Sequence, residues 1–168
     1  QRQAQTAANI INSYSPQQLS NLFYNYGELK HNKNLVNNIY QERKKSSLNT
    51  TFELCELIRK SYTFGKNHKL YVKTCSKVFQ AIRMEVNQEL NVIETTLNKL
   101  QDYIHQDSII VVLTFHSLED RLVKHTINAS NKLILDPKKV IKPSYQECTQ
   151  NPRSRSAKCR VIKVKKNL

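Results

Sequence analysis

Glycine is nearly missing from this sequence: 168 residues hold only Gly27 and Gly65. A sheet that binds a nucleotide cofactor normally carries a Gly-rich loop after its first strand, because the backbone must approach a phosphate closely there. This chain has no such loop. It has no tryptophan, and its only methionine is Met84, so it opens on Gln1 and not on a starting methionine. Together these gaps lead to the expectation of a piece of a longer protein whose amino-terminal portion lies upstream of Gln1. No run of about 18 apolar residues is present, which argues against a transmembrane helix. The first residues are polar and lack the hydrophobic centre of a secretory signal. The four cysteines, Cys55, Cys75, Cys148 and Cys159, form no Cys-x-x-Cys knuckle or redox pair. Reduced thiols in a cytoplasmic protein are expected.

Acidic residues are also scarce, 13 Asp and Glu against 27 Lys and Arg, for a net charge of +14. Such an excess calls for a polyanion or an anionic surface. With no membrane segment in view, nucleic acid leads. A basic surface kept for solubility, or a compositional bias toward Lys and Asn, is the plainer alternative. The length suits one ordinary domain with a core.

What is present centres on residues 109–121, Ile-Ile-Val-Val-Leu-Thr-Phe-His-Ser-Leu-Glu-Asp-Arg. Five unbroken apolar residues suit a strand over 109–115 buried on both faces, as in a parallel sheet. His116, Ser117, Glu119, Asp120 and Arg121 follow at its carboxyl end, where open α/β sheets place a ligand crevice. Ser117 with Asp120 three residues on also reads as a helix start, opening a helix over about 117–128. In the bland reading Ser117 is a cap, and the dipole favours Glu119 and Asp120 in the first turn. A Ser/His/Asp triad does not suit adjacent His116 and Ser117. A metal site on His116 and Glu119 lacks further ligands in the sequence, so none is expected.

Residues 1–60 read as helices with polar joints. Thr6 caps a helix over 7–14. Ser15-Pro16-Gln17-Gln18 restarts the next one as a capping box, followed by Leu19, Leu22, Phe23 and Tyr26, and Gly27 is a natural stop. A helix over about 28–44 and another opened by Thr50 and Glu53 come next. Residues 61–75 read as a loop. Val78, Ile82, Val86, Leu90, Ile93, Leu97, Leu100 and Ile104 then mark one long helix over about 76–104, with a continuous apolar stripe. Beyond 128 the chain is polar, with Val140-Ile141 as a short strand and residues 160–165 as a final edge strand. Asn151-Pro152-Arg153-Ser154-Arg155-Ser156-Ala157-Lys158 carries three cations and no apolar anchor, a composition suited to phosphate contacts. An exposed basic loop without a partner fits that composition equally well.

Three blocks carry a resemblance. Thr114-Phe115-His116-Ser117-Leu118-Glu119-Asp120-Arg121, with Val123-Lys124, resembles the "SFHSLEDRIVK" block of the ribosomal RNA small-subunit methyltransferase H family. Asn151 to Val161 is similar to its "NPRSRSAKLRV" ending, and Val78 to Leu90 is similar to its "FQALRIxVNxEL" helix. The resemblance spans essentially all of the chain. It implies an S-adenosylmethionine-dependent enzyme that methylates the exocyclic N4 amine of a cytidine in the decoding region of 16S rRNA. The implied fold is α/β and helix-rich. Residues 1–75 would form an inserted all-helical domain. Residues 76–168 would be the carboxyl-terminal half of a Rossmann-like methyltransferase sheet, without its cofactor-binding amino-terminal half. The family's Gly-Gly-His loop and acidic ribose contact have no counterpart here. They are expected upstream of Gln1, so no donor-binding residue carries over to this chain. Its "HPATR" turn is Lys73-Thr74-Cys75-Ser76-Lys77 in this chain, and its "PGGR" is His105-Gln106-Asp107-Ser108. On this reading His116, Ser117 and Asp120 lie closest to the chemistry, and Arg153, Arg155 and Lys158 hold RNA phosphates of the small ribosomal subunit. The competing expectation is a non-catalytic basic RNA-binding module in ribosome assembly. A decayed or truncated enzyme is a third.

Overall fold

The computed structural model describes residues 5–165, so Gln1 lies outside the described residues. The chain forms two compact units, Gln1–Gln88 and Glu89–Leu168. The first unit is all helical over its described residues: α1 (Ala7–Ser13), α2 (Pro16–Asn25), α3 (Lys33–Arg43), α4 (Thr51–Ser61) and α5 (His68–Val86). Three of its helix starts are capping boxes, at Thr6, Ser15 and Thr50, each with the side chain three residues on reaching back to the cap. These are the starts anticipated from sequence, and each satisfies two backbone donors that the helix itself leaves free. The core is built from the apolar faces, with Ile10, Leu19, Phe23, Leu35, Ile39, Ile58 and Val78 fully buried.

The first unit differs from expectation at two joints. Helix α3 begins at Lys33, not near residue 28. Glu28 adopts a left-handed φ of 49°, and buried Asn32 ties the turn together by donating to the carbonyls of Ser20 and Leu29. Helix α5 starts at His68, inside the stretch read as a loop, because the Asn67 side chain caps it by accepting from the Leu70 N–H.

The apolar stripe is real as far as Leu100, but it belongs to two helices, and Ile104 lies beyond both. α5 ends at Val86, Gln88 takes φ 52°, and α6 (Glu89–Leu100) follows. The expected boundary at 75/76 falls inside α5, and the two units divide between Gln88 and Glu89.

The second unit holds α6, β1 (Ile109–Thr114), α7 (Ser117–Ala129), β2 (Leu133–Leu135), α8 (Tyr145–Gln150), a 3₁₀ turn over Pro152–Ser156 and β3 (Lys158–Val164). Its sheet has the order β1-β3-β2, and both pairings are antiparallel. β3 is therefore the central strand and not an edge. Val140-Ile141 contributes only an isolated bridge, from Ile141 to Cys159. Leu97, Val123, Ile127, Leu133, Leu135 and Ile162 form the core under one face, with Ile110 and Val112 packed against it.

The expectation of a strand buried on both faces does not hold within this chain. Burial alternates along β1, and Ile109, Val111 and Leu113 are 63%, 61% and 57% exposed. The cause is layering: α7 covers one face of the sheet, and no described element covers the other. All four cysteines are free thiols. No described helix is long and apolar enough to cross a membrane.

Candidate functional site

The polar turn at the end of β1 is held by hydrogen bonds from its own residues. The residue that caps α7 is His116, not Ser117. Its Nδ1 accepts the Leu118 N–H at 3.2 Å. Glu119 closes the box, its Oε2 accepting the N–H groups of Phe115 and His116 at 3.0 and 3.1 Å. An imidazole nitrogen that accepts a backbone N–H carries no proton, so in the neutral ring the proton sits on Nε2. His116 therefore offers a donor at Nε2. Glu119 is committed to the backbone and is not a free base.

Asp120 turns inward. Its Oδ1 accepts from Arg160 Nε at 2.6 Å, and its Oδ2 accepts from Arg160 Nη2 at 3.2 Å and from Lys158 Nζ at 3.3 Å. Burial by itself would raise this carboxyl. The hydrogen bonds and charge of Arg160, and then of Lys158, outweigh that effect and hold Asp120 below its ordinary value. The register explains why these groups meet. β3 pairs Lys158 with Thr114 and Arg160 with Val112, so the inward residues of β3 lie beneath the start of α7. Arg160 was not singled out by sequence reasoning. Its signal was a cation at an inward-facing position of an apolar strand.

The basic block splits by geometry. Asn151 accepts from the Arg153 N–H, Pro152 takes the first position, and buried Ser154 donates to the Asn151 carbonyl at 2.8 Å. This winds a 3₁₀ turn with Ser154 inward and Arg153 and Arg155 exposed. Lys158 is half-buried and ion-paired with Asp120. Thus one residue from each expected group, Asp120 and Lys158, is in direct contact. The pair ties the strand that follows the basic turn to the helix that His116 caps.

The described residues do not fit a site for an adenosyl cofactor. Gly27 is packed between backbone groups of the helical unit, and Gly65 lies on a loop of that same unit. The two carboxylates at the end of β1 are already engaged. The donor-binding residues expected upstream of Gln1 lie outside the described residues. What the turn can do is present hydrogen-bond donors and cations to a polar, anionic partner.

The profile of the MraW methylase family matches residues 1–165. The chain is 44% identical over 168 residues to a protein of Gloeothece citriformis named Ribosomal RNA small subunit methyltransferase H, covering 98% of this chain and 54% of that one. Proteins of the same name from Hydrogenobaculum sp. and Leptospira interrogans are 42% and 40% identical. They cover 97% and 98% of this chain, and 54% and 50% of their own lengths. The chain spans about half the length of the curated relatives it matches. On the extent of that match, the chain belongs to the MraW methylase family.

Proposed function

We propose that this chain works as part of a longer S-adenosylmethionine-dependent enzyme that methylates the exocyclic N4 amine of a cytidine in 16S rRNA. What carries the methyltransferase part of the reading is the match of nearly the whole chain to relatives named Ribosomal RNA small subunit methyltransferase H; the cytidine N4 amine comes from the family resemblance. The donor is held by residues upstream of Gln1, outside this chain. The helical unit, which reaches Gln88 and not residue 75, serves as a domain inserted into the catalytic one. The open face of β1, lined by Ile109, Val111 and Leu113, supports this arrangement, since an apolar sheet face needs a covering layer.

In this reading the target cytosine leaves its stack and is held beside the turn. His116 donates from Nε2 to the base, and Ser117 lines the same turn. Asp120 acts through its partners: it fixes Lys158 and Arg160 and thereby the strand entering from the basic turn. Arg153 and Arg155 bind phosphates, with the salt dependence that such contacts bring.

The test is methylation of small-subunit RNA by the protein from the complete reading frame, using labelled donor and mass spectrometry of nucleosides. Label in N4-methylcytidine is expected. Label at another position, or RNA binding with no transfer, overturns the reading.

A further inference from the structure

The helical unit carries a polar pocket, far in sequence from the turn described above. It has a volume of about 300 Å³ and is lined by Arg59, Tyr62, Phe64, Lys66, His68 and Tyr71, together with Gly65 and Asn67. That volume is at the lower end of the roughly 300–1,000 Å³ typical of small-ligand sites. Its wall is aromatic. The Phe64 and Tyr71 rings meet edge to face at 5.3 Å, Tyr62 lies 5.9 Å from Phe64, and His68 lies 6.1 Å from Tyr71. The Arg59 guanidinium carbon sits 4.4 Å from the Tyr71 ring centroid, yet that side chain is 59% exposed. The ring holds the cation at the rim without removing it from solvent.

Two further observations point to an anionic ligand. From Leu57 to Met84 the sequence has seven Lys and Arg and no Asp or Glu. Arg59 pairs with Glu56, 3.7 Å from its Nε, a carboxylate that is itself half-exposed. The pocket mouth includes the start of α5, a 19-residue helix with no acidic residue in its first turn, so its positive end is not neutralised.

We propose that this pocket binds one nucleotide of single-stranded RNA. The base packs against the Phe64–His68–Tyr71 wall, and the phosphate meets Arg59, Lys66 and the start of α5. The proposal rests on RNA being the partner, as above, but it assigns a contact separate from the methylated base. Aromatic walls with cations at the rim are how proteins hold unpaired bases with little sequence preference.

The test measures binding of a fluorescein-labelled oligouridine to the purified chain by anisotropy, across a salt series. Lys66 and His68 are exposed, so Lys66→Ala and His68→Ala leave the core intact. Phe64→Ala removes the stacking wall. The Lys44→Ala/Lys45→Ala pair removes exposed cations elsewhere in the same unit and serves as control. Phe64→Ala and the Lys66→Ala/His68→Ala pair are expected to weaken binding about tenfold. Lys66→Ala should also flatten the slope of log affinity against log salt by roughly 0.7. A loss no greater than in the control pair overturns the pocket, as does a wild-type chain that does not bind. Neither result touches the methylation reading, which stands or falls on N4-methylcytidine formation by the complete protein.

Discussion

At the residue scale, Asp120 and His116 do different work although they sit four positions apart. Asp120 is a buried carboxylate with two cationic partners, and removing one member of such a group leaves the others uncompensated. Asp120→Asn should cost about 3 kcal/mol in urea unfolding of the second unit. Its folded-state value is depressed, so its contribution is present at pH values above the unfolded carboxylate's, near about 4. That contribution is lost as pH falls toward the lower folded value. The acid limb of the wild-type stability curve should therefore be shallower in Asp120→Asn. His116 caps α7 through Nδ1, and in the function proposed above it also donates from Nε2, two roles that a pair of variants separates. His116→Ala loses the cap and about 1 kcal/mol of stability, whereas His116→Asn keeps a capping oxygen and most of that stability. In the complete enzyme both should lose methylation to a similar degree, because both lack the Nε2 donor. Full activity in His116→Asn would limit the residue to capping.

At the element scale, the ends and joints of helices decide the architecture. The capping boxes at Ser15 and Thr50 and the cap at Thr6 were readable because each closes within four residues; the reach of Asn9 back to Thr6 was not. Gly27 was readable as a stop, but its reason is different. The left-handed residue is Glu28, and Gly27 is needed because a Cβ there would lie 2.8 Å from the Phe23 carbonyl oxygen and 2.9 Å from that of Lys77. Backbone atoms cannot swing aside as side chains do. Gly27→Ala should cost about 1–3 kcal/mol in thermal or denaturant unfolding of the helical unit. The break between α5 and α6 was not readable. A stripe at steps of three and four continues across Asn87-Gln88 because each helix buries its own half, and periodicity records burial, not backbone direction.

At the scale of the whole molecule, the open face of β1 separates this chain from the longer protein proposed above. Val111→Ser should shift the stability of the chain alone by no more than about 0.5 kcal/mol, since the side chain is exposed. If further elements cover that face in the complete protein, the same change should cost about 1–3 kcal/mol there. Equal small effects in both would mean that the face stays open. By itself the sequence determined what short-range physics controls: the helix starts after Thr6, Ser15 and Thr50, the apolar stripes, the polar turn after the 109–115 run and the basic charge. Tertiary structure alone decided that β3 lies between β1 and β2, that both pairings are antiparallel, and that only one face of β1 is covered. It also brought Arg160 to Asp120 across 40 positions, and gathered Arg59, Phe64, His68 and Tyr71 into one wall. Caps and periodicity are settled by neighbours a few residues apart. Strand order, sheet faces and buried ion pairs depend on which distant segments lose water together, and that is decided only when the chain has packed.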